Sequence, residues 1–134
     1  MRELFENMVS QEKKVRMMQE EYHRIKQSLD ISGISYENTG ATSGSKKTDR
    51  MAEVIAEMVD FENEMKQEES KLAVMRLKAT VAISKLTDDN EREVLRRWYL
   101  LQQSEDKISN AIGYSRTMIY EFRKRGLKHL KTSD

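Results

Sequence analysis

The chain has no cysteine and no proline in 134 residues, only five glycines, and 7% aromatic residues. Without cysteine there is neither a disulfide framework nor a thiolate metal site, and the two histidines, His23 and His129, stand at opposite ends of the sequence. No metal or other cofactor is therefore expected. No uninterrupted apolar stretch approaches the roughly 18 residues of a membrane span. The opening MRELFENMVSQEKK is charged within its first three residues and lacks the apolar core of a signal peptide. The protein is expected to stay in the cytoplasm, with no membrane partner. Carboxylates are abundant, but no nucleophile–base pair, glycine-rich phosphate loop or metal-ligand spacing organises them. No catalytic residue is assigned, and the chain is not read as an enzyme.

What is present is charge in long helical patterns. Charged residues make up 35% of the chain against 37% hydrophobic, which with the missing proline favours long solvated helices over a thick globular core. The expected class is all-α, with room for one small domain and a long helical extension. The formal charge of +1 hides a strong asymmetry. From Lys107 to Lys131 seven cations face the single Glu121, so this segment carries +6 and the rest of the chain −5. A basic end on an acidic body is the footprint of a phosphate-binding module on a separate scaffold.

The scaffold shows in two heptad runs. Met51, Met58, Met65, Leu72, Ala79 and Leu86 form one row; Val54, Phe61, Glu68, Met75 and Ala82 form the next, interrupted only by Glu68. Asp49 offers an N-cap for this helix. Near the N-terminus the rows are Met8, Val15, Tyr22 and Leu29, with Leu4, Gln11, Met18 and Ile25, where Gln11 is the lone polar member. Ile31 to Thr48 keeps no period and reads as a linker or ordered loop. A helix of about 28 residues, about 42 Å long, cannot bury such a seam alone. The simplest solution is a long antiparallel, coiled-coil-like hairpin over residues 1–86, with Leu29 near Met51 and Leu4 near Met75. Ala79, Ala82, Ile83 and Leu86 would then pack on whatever follows. Pairing between chains, as a homodimer or higher homo-oligomer, stays open because the linker is long enough to permit it.

Residues 87–134 read as a separate module. Asp88 with Glu91 fits a capping box, and Val94, Leu95, Trp98, Tyr99 and Leu101 form a broad apolar stripe behind it. Ser104 caps a short helix ending near Ile112, Gly113 supplies a turn with positive φ, and Ser115 caps a last helix from Arg116. Singly, such a glycine is often only a C-cap, and a basic last turn only a solvated face. Jointly, Ser109, Gly113 and the apolar Ile108, Ile112, Tyr114, Ile119 and Phe122 resemble the seven-position pattern of the DNA-binding helix-turn-helix. In that pattern the outward positions, here Ser115, Arg116, Thr117, Tyr120, Glu121 and Lys124, meet base edges and nearby phosphates of double-stranded DNA. Arg116 is the leading base reader, since a guanidinium can bridge guanine bidentately. Arg123, Lys124, Arg125 and Lys128 are read as phosphate contacts.

The run LTDDNEREVLRRWYLLQQSEDKISNAIGYSRTMIYEFRKRGLKHLK resembles region 4 of bacterial sigma-70-type factors in NEREVL, RRWYL, KISNAIGYS and RGLKHL. Gly126 departs from that family's usual alanine and is expected to weaken the final helix. The longer pattern, with SYENTG and SGSKKTDRMAEVIAEMVDFENEM ahead of the module, is similar to phage and prophage regulators of the RinA and ArpU type. The resemblance implies a transcriptional regulator of a phage operon, with residues 116–130 in the major groove and RNA polymerase as a further partner. Two alternatives stand beside it: a packaging protein of the small-terminase kind, and an interaction module that binds polymerase or another protein and never touches DNA.

Overall fold

A computed structural model describes residues 1–31 and 46–132 of the chain; the segment 32–45, most of the stretch read as a loop, lies outside the described residues. The described residues are helical, with no strand among them. The helices are α1 (Arg2–Ile31), α2 (Lys46–Ser84), α3 (Asp89–Leu95, continued by a π-helical turn over Arg96–Leu100), α4 (Glu105–Ile112) and α5 (Arg116–Thr132). No helix among them is long and apolar enough to cross a membrane. The chain forms two compact units, one of Gln11–Lys71 and one of Met1–Ser10 with Leu72–Asp134. α1 and α2 each contribute to both.

In the Gln11–Lys71 unit the heptad rows meet as antiparallel partners. Val15 and Met18 of α1 and Met58 and Met65 of α2 are buried. Tyr22 stacks on Phe61 with centroids 6.3 Å apart, and its hydroxyl donates to Glu62 at 3.0 Å. Lys66, then Tyr22, hold the Glu62 carboxyl below its ordinary range. Near the other end of the unit Gln11 donates to Glu68, so low-numbered residues of α1 lie against high-numbered residues of α2. Ile25, placed in the seam by its spacing, is 41% exposed and sits outside it. Asp49 lies within the first turn of α2 and does not cap it, since the helix already starts at Lys46.

The other unit has two apolar clusters. The first joins Phe5 and Met8 of α1 and Ala79, Ala82 and Ile83 of α2 to Leu86, Leu95, Tyr99 and Leu130. The residues expected to extend past the hairpin thus pack on the helices that follow. Phe5, rather than its heptad neighbour Leu4, is the buried member, because its ring stacks on Tyr99 with centroids 4.7 Å apart. The second cluster is Val94, Ile108, Ile119 and Phe122, with Trp98 packed against both. α3 stands between them, since adjacent residues Val94 and Leu95 point one way each.

Asp88 caps α3 by accepting from the Glu91 amide at 3.0 Å, a bond of about 1 kcal/mol in such positions. The Glu91 carboxyl, which a capping box would turn back to the cap, is buried instead, with Oε1 2.5 Å from His129 Nδ1 on α5. The π turn closes through a Leu101 amide to Arg96 carbonyl bond of 3.1 Å, and Arg76 donates to the Leu100 carbonyl at 3.2 Å. Leu101 therefore leaves the helix and is 45% exposed, outside the stripe its spacing placed it in. α5 runs unbroken through Gly126 to Thr132. A Cβ at Gly126 would fall 2.8 Å from Leu95 Cδ1, so the glycine there lets α5 lie close on α3.

Candidate functional site

Local chemistry builds the α4–turn–α5 segment. Ser104 caps α4 by accepting from the Lys107 amide at 3.3 Å, and α4 ends where Gly113 takes φ 76°, its amide donating to the Ser109 carbonyl at 2.9 Å. A Cβ at Gly113 would meet nothing within 4 Å, so the left-handed backbone, not lack of space, is what favours glycine. The Ser109 hydroxyl donates to the Tyr114 carbonyl at 2.6 Å, which ties the turn back to α4. Ser115 Oγ then accepts from the Met118 amide at 3.3 Å and caps α5. Ile108, Ile119 and Phe122 are buried together, and Ile112 packs against them. Tyr114 does not join that core: it is 39% exposed and meets Phe122 edge-on at its rim, with centroids 5.0 Å apart.

The burial of Ile119 and Phe122 decides what α5 presents. Ser115, Arg116, Thr117, Tyr120, Glu121, Lys124, Arg125 and Lys128 are all exposed, and all belong to the set singled out from the sequence. Arg123, the remaining member, is half-buried and held in place: its guanidinium lies 4.6 Å over the Trp98 ring, and Nε donates to the Tyr99 hydroxyl at 3.0 Å. Such stacking contributes in the range of 0.5 to 2 kcal/mol, roughly. Arg123 thus fastens α5 to the π turn while carrying its charge to the surface.

Two acidic residues of α4 reach the same face. Asp106 pairs with Arg116, and Glu105 accepts from the Tyr120 hydroxyl. The Asp106 hydrogen bond and charge raise the Arg116 pKa above its ordinary value, and the Glu105 hydrogen bond raises that of Tyr120. Both carboxylates serve α4 as first-turn anions at the positive end of its dipole, and both also set the rotamer of a residue on α5. Their spacing to the cap was visible in the sequence; their partners on α5 were not.

Further along α5 the exposed face becomes one wall of a groove of about 480 Å³, in which Tyr120, Arg123, Lys124, Lys128 and Lys131 are joined by Arg2 of α1. Arg2, Leu127 and Lys131 of this groove, and Trp98 beneath Arg123, were left out of the site by sequence reasoning. Among the described residues no group of three or more His, Cys, Asp or Glu could hold a metal ion. What the face can do chemically is bind anions by charge and present a few hydrogen-bonding side chains at its N-terminal end.

Comparison with curated proteins and with solved structures finds no match. A family model described as "Protein of unknown function (DUF1492)" matches residues 31–131, which is most of the chain, and the protein belongs to that family.

Proposed function

We propose that the protein is a sequence-specific DNA-binding regulator of transcription, acting on a phage or prophage operon, that docks α5 in the major groove as the second helix of a helix-turn-helix. The observation that carries this reading is the exposed α5 face. Ile119 and Phe122 turn inward, and Ser115, Arg116, Thr117, Tyr120, Glu121 and Lys124 are left outward together, followed by Arg125 and Lys128. Polar and arginine side chains at the helix start suit base edges, whereas cations further along suit phosphates. The sigma-region-4 and RinA/ArpU resemblance supplies the regulatory part of the reading, with RNA polymerase as a further partner and self-association into a homodimer or higher oligomer. In this reading α5 does the recognising, and α1 and α2 carry the protein contacts.

Selection of bound fragments from a library of phage and host genomic DNA tests the reading directly. The expected result is enrichment of a discrete site, with half-site spacing reporting the symmetry of the bound assembly. Fragments retained without any shared site would reduce the function to non-specific binding. Unchanged mobility of all fragments at low salt would leave only a protein-interaction role.

A further inference from the structure

The groove beside α5 is walled by two helices that lie far apart in sequence. Lys124, Lys128 and Lys131 follow one another along α5, and Arg2 comes from the first turn of α1. With Arg123 they make five cations in one groove, and no carboxylate lines it. The position of Arg2 is set by packing rather than by chance. Phe5, three residues on, is fully buried against Tyr99, and Met8 is fully buried in the same cluster. Tyr99 in turn accepts from Arg123, so one ring orders cations on both walls.

We infer that Arg2 is a DNA-backbone contact, and that α1 and α5 together grip one phosphodiester strand at the edge of the major groove. This rests on the DNA-binding reading of α5. From Lys124 to Lys131 the cation row is about 10 Å long at 1.5 Å per residue, which spans about three phosphates at 3.4 Å of rise per strand. Tyr120 and Lys124 belong both to the groove and to the outward face at the start of α5, so a strand entering the groove runs directly on from bases meeting Arg116. That continuity favours nucleic acid over an acidic protein segment as the occupant. Arg2 also carries a built-in competitor: its Nε is 3.2 Å from Glu6 Oε1, with both side chains more than half exposed. A phosphate must displace Glu6, an exchange that solvent screening makes easy.

The test is fluorescence anisotropy of a labelled duplex, cognate and scrambled, titrated with the full chain across a salt series. Arg2→Ala is expected to weaken both duplexes equally, and to lower the slope of log K against log salt by about 0.9, one phosphate contact. Glu6→Gln is expected to tighten both. Arg2 is exposed, so its replacement leaves the Phe5–Tyr99 packing in place, and an unchanged melting temperature confirms that. If Arg2→Ala leaves the slope unaltered while Lys124→Ala with Arg125→Ala lowers it, Arg2 is no contact although the DNA reading of α5 stands. If the wild-type chain binds neither duplex at low salt, both readings fall.

Discussion

The Gln11 side-chain amide donates to a Glu68 carboxylate oxygen at 2.5 Å and to the Glu68 carbonyl at 3.0 Å. These are the two polar residues that interrupt otherwise apolar heptad rows, one on each helix, and each is the other's partner. A polar pair within a seam is satisfied in one alignment and left unsatisfied in a shifted one, so it favours a single register between α1 and α2. Lys71 and Lys14 add charge contacts to the same carboxylate at 3.2 and 3.4 Å.

The hydrogen bonds from Gln11 and Lys71 lower the Glu68 pKa from 4.5 to about 2. A depressed carboxyl stabilises the folded chain fully above the unfolded value, and that contribution is lost as pH falls towards the folded one. Glu68→Gln is therefore expected to flatten the loss of thermal stability between about pH 4.5 and pH 2, relative to wild type. Parallel melting curves recorded by circular dichroism across that range check it. An acid limb of equal steepness in both proteins would remove Glu68 as a source of it.

The parts of this structure that were legible in the sequence are those governed by neighbours in the chain. Ser104, Asp88 and Ser115 cap helices because an oxygen at that position reaches an amide three residues on, and Gly113 closes α4 because φ 76° favours glycine. Phe5 was hidden for the opposite reason. Its burial over Leu4 is decided by Tyr99, which no local period encodes. Arg2, which lines the groove three residues before the buried Phe5, was hidden with it. Leu101 failed because a π turn ends the helix one residue before it, and hydrophobic periodicity carries no sign of that extra backbone.

Arg116 is predicted to read sequence, and its pairing with Asp106 makes that checkable from both partners. Arg116→Ala should lower affinity for the cognate duplex roughly tenfold or more while scrambled DNA changes little. Asp106→Asn should strengthen binding to both, since it removes an anion from the DNA-facing side and leaves Arg116 without its present partner. Competition binding with cognate and scrambled duplexes separates the two effects. Equal weakening of both duplexes by Arg116→Ala would demote Arg116 to a phosphate contact.

In the proposed DNA-binding reading Lys124 and Arg125 contact phosphates. Their joint replacement by alanine should weaken cognate and scrambled duplexes alike, and should make the dependence of log K on log salt shallower by about 0.9 for each phosphate left without its cation. Arg125 lies 6.0 Å from the Phe122 ring centroid, so a melting curve must accompany the titration to separate any change in packing. A slope that does not move would place both residues outside the interface.

Gly126 tests how closely α5 must approach α3. Alanine in a helix interior gains about 1 kcal/mol over glycine from propensity alone. Here its Cβ would stand 2.8 Å from Leu95 Cδ1, 3.2 Å from Leu95 Cγ and 3.5 Å from Glu91 Cβ, and Leu95 is fully buried. Overpacking of that kind costs about 1–3 kcal/mol, so it outweighs the propensity gain unless Leu95 can take another rotamer at little cost. Tyr99 and Leu130, buried in the same cluster as Leu95, restrict that freedom. Gly126→Ala is therefore expected to lower stability by about 1 kcal/mol, read from chemical denaturation. The same substitution in a Leu95→Ala background should turn neutral or stabilising, because the clashing methyl is gone and only the propensity gain remains. Destabilisation of equal size in both backgrounds would mean that the cost at Gly126 arises elsewhere than at Leu95.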